Sequence, residues 1–218
     1  MKFRIAKVSD YKQIAELHYN VRERYSRGFF SKMGKLFLNQ YYKIILNDPN
    51  EVVLCAVDER GILCGFTSGT INVEEQFTNL RKNSFSLLIA SIPSIILNPK
   101  LIFEIWERYQ FSKGKSKEKF VTASGARGEF WVWGSNNKQS IWSPILNEKQ
   151  LQILYVLGVK NYGIEVDVEN DKILLFSKKH GADEVERVIS DEGKERVLLN
   201  YDIKNRYIFK RNKNKRKL

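Results

Sequence analysis

The run Glu51-Val52-Val53-Leu54-Cys55-Ala56-Val57 sets six apolar side chains in succession. A strand with one wet face alternates apolar and polar residues. This one does not, so both of its faces need cover, and helices on either side of a sheet supply it. The flanking sequence agrees. Ile14, Leu17 and Val21 repeat at helical spacing and predict a first helix reaching about Arg24, with Asp10 as its N-cap and Gln13 completing a capping box. A second helix is expected from about Ser31, with the stripe Leu36, Phe37, Tyr41, Ile44 and Ile45, and Asn47-Asp48-Pro49 ends it. Residues 2–7 alternate as a short first strand. The turn Asp58-Glu59-Arg60-Gly61 returns the chain through Ile62–Ile71, which sets Val57 opposite Ile62 and Cys55 opposite Cys64. The result is a layered α/β plan.

A length of 218 residues suits one domain, and 43% hydrophobic with 28% charged residues is the composition of a globular core rather than of a disordered chain. Two cysteines and two histidines, far apart, are too few for a zinc site, so no metal is expected. A cross-strand disulfide between Cys55 and Cys64 fits the hairpin, but a reducing cytosol favours two buried thiols. The opening Met1-Lys2-Phe3-Arg4 carries no visible signal peptide. The apolar stretch Phe85 to Leu97, broken by Ser86, Ser91, Pro93 and Ser94, is shorter than the ~20 residues of a spanning helix. A cytoplasmic protein is expected.

The net charge of +12 suggests a polyanion partner, but its placement matters. Eight basic residues and no acidic ones follow Asp202, and without them +4 remains. Residues 204–218 therefore read as a basic C-terminal tail on a single domain of residues 1–203. A solvated end is preferred there over contact with nucleic acid or an anionic membrane. Residues 72–128 form a long excursion, with helices over Phe85–Leu97 and Leu101–Tyr109 and a Lys, Ser and Gly-rich loop from Ser112 to Gly128. Its apolar segment is expected to pack on the domain, a membrane-contacting face or a substrate lid being the alternatives. From Glu129 the pattern becomes strand Phe130–Trp133, helix Ile145–Leu157, strand Tyr162–Val168, helix Lys172–His180 closed by Gly181, and a last hairpin over Glu184–Tyr201. His18 beside the first helix's stripe and His180 in a last helical turn both read as structural.

One segment carries more than architecture. In Ile164 to Ala182 a buried-face strand ends at Asn170 and turns into a short basic helix that stops on Gly181. This resembles the late strand and helix of the GNAT N-acetyltransferases, where Val, Asn, Phe and Gly recur at the spacing of Val166, Asn170, Phe176 and Gly181. Gly65-Phe66-Thr67-Ser68-Gly69-Thr70 resembles that family's third strand, and Ser31–Tyr42 its second helix. Covering nearly the whole chain except parts of 72–128, the resemblance implies a mixed, mostly antiparallel sheet flanked by helices, with a helical insertion between strands three and four. It also implies acetyl transfer from acetyl-CoA to a primary amine by direct attack.

In this family a strand Val leads into a glycine-rich loop whose amides, at a helix N-terminus, hold the diphosphate of acetyl-CoA. Val132, Asn137, Lys138, Gln139, Ser140 and Ile141 fall in register with that site, and Asn170 and Phe176 complete it. The loop is degenerate, because Lys138, Ser140 and Trp142 stand where glycines do. Either Lys138 and Ser140 replace amide contacts with side-chain contacts, or Trp142 fills the space and the fold survives without acetyl-CoA. Ser177 occupies the position of the family's tyrosine acid and is a poor proton donor, although a thiol with a pKa near ~8.5 leaves without much help. Glu129 and Glu165 are the candidate bases, and Asp167 shares the face of Glu165. Trp131 and Trp133 either line an acceptor pocket or pack in the core.

No nucleophile triad, Walker loop or dinucleotide fingerprint is present. The expected partner is a small-molecule amine, with a homodimer left open. The competing reading is a non-catalytic GNAT-fold protein that binds a ligand or partner without the cofactor loop.

Overall fold

The computed structural model describes residues 1–24, 28–113, 124–134, 140–189 and 195–207. The chain order is β1 (Lys2–Ile5), α1 (Tyr11–Val21), α2 (Phe29–Lys32), α3 (Lys35–Ile45), β2 (Glu51–Val57) and β3 (Leu63–Thr70). The excursion follows as α4 (Val73–Lys82), α5 (Ser84–Leu97) and α6 (Leu101–Ser112). Then come β4 (Ala126–Trp133), α7 (Trp142–Val156), β5 (Asn161–Asp167), α8 (Asp171–Lys179), β6 (Ala182–Ile189) and β7 (Glu195–Asp202). The strands form one sheet in the order β1-β2-β3-β4-β5-β7-β6, and β4–β5 is its parallel pair.

The apolar run of β2 receives the two-sided cover that its sequence requires. Val53 and Cys55 pack with Ile14, Leu38, Tyr42 and Ile45 of α1 and α3. On the opposite face Leu54 and Ala56 meet Leu146 of α7, and Val52 meets Leu151 and Leu154. Each of these side chains is buried, and full burial of a Leu or Ile contributes about 1.5–3 kcal/mol.

Several local expectations are corrected. Asp10 does not cap α1 through Gln13; its carboxylate turns back to accept from the Lys7 amide at 2.6 Å and from the Arg4 guanidinium. Leu36 faces solvent, because at helical spacing it lies on the side of α3 opposite the buried Leu38, Tyr41 and Ile45. The turn closes at Val57↔Leu63 and a bulge lies at Ala56/Val57, so Cys55 faces Phe66. Both cysteines are buried thiols outside any disulfide, and burial pushes the Cys55 thiol up to about 12, which makes it inert. An unexpected helix, α4, opens the excursion with Asn72 Oδ1 accepting from the Glu74 and Glu75 amides. β4 starts at Ala126, inside the stretch read as loop, while residues 114–123 lie outside the described residues.

The apolar segment of the excursion does not bury itself as expected. α5 packs on α3 through its serines, and many of its large apolar side chains are exposed. The presumed tail begins as structure: residues 203–207 are helical, Arg206 pairs with Glu148 of α7 at 2.5 Å, and Tyr207 donates to the same carboxylate at 3.0 Å. Residues 208–218 lie outside the described residues.

Candidate functional site

Two irregularities place the site. The β3–β4 register jumps from Ser68↔Phe130 to Gly69↔Gly128, which leaves Glu129 as the extra residue of a β-bulge. On the other side, β4 pairs with β5 only at Ala126↔Tyr162 and Arg127↔Gly163, and past that point the two strands part. The parting coincides with crowding: a Cβ on Gly128 would stand 2.7 Å from Ile164 Cγ2 and 2.9 Å from Tyr162 Oη. Glycine at 128 therefore lets β5 approach at this one place.

The bulge aims Glu129 at the α3 side of the sheet. There Tyr41 Oη donates to its Oε2 at 2.7 Å and Arg127 Nη2 to its Oε1 at 3.0 Å. Arg127 also donates to Gln76 Oε1 at 3.0 Å, and Gln76 Nε2 donates to Glu51 Oε1 at 2.5 Å. Burial and the neighbouring Glu129 charge raise the Glu51 carboxyl well above the usual carboxylate range, which favours its protonated form. The same burial, with Glu129 close by, pushes the Tyr41 and Tyr162 phenols upward. Three buried hydroxyls around the bulge, those of Thr67, Ser68 and Tyr162, have no hydrogen-bond partner among the described residues.

Above this floor lies a cavity of about 200 Å³. Glu129 and Arg127 form its polar end, and Phe29, Phe30, Phe37 and Tyr41 wall one side. Phe77, Leu80, Leu87 and Ile105 of the excursion wall the other. The excursion thus closes one side of an apolar chamber over the bulge.

The expected cofactor residues divide. Val132 is fully buried opposite Phe66, and Ser140 and Ile141 open α7. Asn137, Lys138 and Gln139 lie outside the described residues. The Trp142 ring packs 6.1 Å from Phe3 on β1, toward the sheet edge opposite β5. Ile141, at the N-cap of α7, gives no side-chain cap. Phe176 reaches across the parted strands to Trp131 at 5.2 Å and stacks on His180 at 3.8 Å. Trp131 Nε1 in turn donates to Ser143 Oγ in the first turn of α7. Asn170 caps α8, accepting from the Ile173 amide at 3.4 Å.

Of the catalytic candidates, only Glu129 lines the cavity. Glu165 and Asp167 both face Arg196 of β7, at 3.9 and 2.9 Å, outside it. Ser177 is buried between α8 and the Tyr201 hydroxyl of β7. His180 Nδ1 donates to Phe176 O at 2.8 Å, and His18 is enclosed by rings in the core, so neither histidine faces the cavity. Sequence reading missed Glu51, Gln76, Arg127 and Tyr41 as one network. Glu51 was legible as the lone acid heading an apolar strand, and Gln76 as part of a helix whose cap, Asn72, stood in plain view.

No family model matches the sequence, and no curated protein does. Solved structures do match in architecture. A spermidine N-acetyltransferase SpeG variant from Vibrio cholerae superposes with a TM-score of 0.58 at 13% identity, over 94% of this chain and 97% of that one. A SpeG chimera of Vibrio cholerae and hSSAT gives 0.57 at 13% identity, over 95% and 99%. An aminoglycoside 6'-acetyltransferase type Ii gives 0.55 at 13% identity, over 93% and 97%. The chain has the GNAT fold that its strand and helix signatures imply. The proteins it is similar to in architecture are described as spermidine N-acetyltransferases and an aminoglycoside 6'-acetyltransferase.

Proposed function

We propose that the protein is an N-acetyltransferase that moves an acetyl group from acetyl-CoA to a primary amine carrying an apolar body. The observation that carries this reading is the bulge at Glu129: it sets one carboxylate at the parting of β4 and β5 and at the end of an aromatic cavity.

The residues fit the acyl donor. The strands part where a thioester arm would enter, the Trp142 indole is turned away toward β1, and Tyr162 Oη is an orphaned donor beside the opening. At the start of α7 the Ser143 amide already donates to Ser140 O and Pro144 has none, which leaves the Trp142 amide, without a side-chain cap, to meet a diphosphate. Trp131, Phe176 and Ser143 would border the arm, and Val132 would keep β4 in place. Acetyl-CoA supplies the activated acetyl carbon. The amine nitrogen forms its bond to that carbon as the carbon–sulfur bond breaks, and Glu129 takes the ammonium proton. Tyr41 and Arg127 fix the carboxylate's orientation.

The wall chemistry selects the acceptor. A polyamine or aminoglycoside would bring several cations into a chamber lined by one carboxylate, Glu129, and already by Arg81, Arg108 and Arg127, so its further charges would meet repulsion and desolvation. A monoamine with an aryl or alkyl body fills the same volume favourably. Thiol release from acetyl-CoA should therefore show kcat/KM for phenethylamine or hexylamine at least ~10-fold above that for spermidine. Preference for spermidine would contradict this acceptor class.

One observation favours the non-catalytic alternative: both Glu129 oxygens already accept hydrogen bonds. Thiol release with no amine of the panel, together with binding of those amines, would support it.

A further inference from the structure

α5 is built inside out. Its small polar residues face the domain: Ser94 Oγ accepts from the Gly34 amide at 2.9 Å, Ser86 Oγ accepts from Gln40 Nε2 at 3.0 Å, and Ser91 is fully buried. Its apolar stripe faces outward. Phe85, Ile89, Ile92 and Ile96, spaced as one helical face, are 74, 51, 47 and 73% exposed. α6 continues that surface with Ile102, Phe103 and Trp106, at 49, 69 and 59%. Amphipathic helices of globular proteins turn the other face inward, and a continuous apolar patch of this kind is costly to leave in water.

Charge indicates what covers it. Residues 72–128 hold nine basic and five acidic side chains, a net +4, and on α5, α6 and just beyond them Lys100, Arg108 and Lys113 stand against Glu104 and Glu107. Lys100 in the turn between the helices is exposed, while the Arg108 guanidinium on α6 lies 4.4 Å over the Phe29 ring. Of the acids on α6, Glu104 is taken by Lys32 at 2.8 Å. Trp106 and Tyr109 stand 6.1 Å apart, with Lys113 Nζ 4.2 Å over the Tyr109 ring. An apolar centre with a Trp, Tyr and Lys edge is the composition of a helix lying in the headgroup region. No described helix is long and apolar enough to cross a membrane, so the pair would lie along the surface. A second copy of the chain is disfavoured as the cover, because a two-fold contact would set two basic surfaces against each other.

We propose that the outer face of α5 and α6 docks on an anionic lipid surface, with Ile96, Phe103 and Trp106 entering the headgroup boundary. The test is sedimentation of the full chain with vesicles of phosphatidylcholine, with and without phosphatidylglycerol, alongside an Ile96→Glu/Phe103→Glu variant and a chain ended after Tyr207. The native chain should partition to the phosphatidylglycerol vesicles at least ~10-fold better than to neutral ones. The double variant should lose at least ~10-fold, while the shortened chain keeps binding. A blue shift of tryptophan emission on adding anionic vesicles, absent in Trp106→Phe, reads the same contact without the charged substitutions. The proposal is overturned by any of three results: no sedimentation of the native chain; equal sedimentation of the double variant; or loss on shortening while the double variant still binds. Light scattering that shows a dimer split by Phe103→Glu would overturn it as well.

Discussion

Glu129→Gln is expected to lower kcat/KM for amine acetylation by ~10²–10⁴-fold, the range contributed by a positioned general base. The substitution keeps the side-chain shape and an oxygen able to accept from Tyr41 or Arg127, so the cavity and its walls should persist. What disappears is the site for the ammonium proton. Removing one partner of a buried ion pair is ordinarily severe, and here the pair is closely enclosed, with side-chain exposures of 13% for Arg127 and 10% for Glu129. Glu51 moderates the cost. Burial and then the charge of Glu129 raise its carboxyl, so in the variant it ionises more readily and can balance Arg127 through Gln76. A variant with unchanged kcat/KM, measured by thiol release with phenethylamine, would remove Glu129 from the chemistry. A variant that loses turnover but still binds acetyl-CoA separates proton transfer from cofactor binding.

Lowering the pH from about 6.5 to 4 should cost the fold ~3 kcal/mol through one residue, His18. Its Nδ1 shares a 2.7 Å hydrogen bond with Tyr42 Oη, and the Phe130 ring lies 4.7 Å from its own. Burial pushes the imidazole down to about 4, from 6.5 in an open chain. Between those values the unfolded chain binds the proton and the folded chain does not. Stability is therefore complete above the unfolded value and lost as pH falls through the window. Urea unfolding of the native chain and of His18→Gln, which keeps a polar partner for Tyr42, tests this. The native curve should slope down from pH 6.5 while the variant stays flat to about pH 4.5, where carboxylates begin to titrate. Parallel curves would assign the acid loss elsewhere. Asp10 is one such group, its carboxyl held below its ordinary value chiefly by the Arg4 hydrogen bond, and it contributes only at the lower end.

The layered plan was legible because it follows from periodicity. β2 admits only two-sided cover, and the late strand, Asn170 cap and Gly181 stop are local signals that tertiary packing did not override. What could not be read is whatever depends on register. The turn, closing at Val57↔Leu63, and the bulge at Ala56/Val57 each moved Cys55 one position, from Cys64 to Phe66, and the bulge at Glu129 turned a residue at the head of a strand into the polar end of a cavity. Neither is marked by sequence, since a bulge is set by how two strands fit over the core. α5 misled for a different reason. Its composition is that of a buried helix, but its serines supply the inward face, and only the partners Gly34 and Gln40 reveal that. Glu165 and Glu129 looked alike as acids near strand ends; Arg196 takes one and the cavity the other.

The opening between β4 and β5 is where the enzyme reading stands or falls, and acetyl-CoA binding probes it directly. Titrating the full chain with acetyl-CoA should raise Tm with ligand concentration, by ~5–10 °C at a hundredfold excess over Kd. An unchanged Tm at millimolar acetyl-CoA would contradict it and leave a GNAT fold whose aromatic cavity binds without transferring.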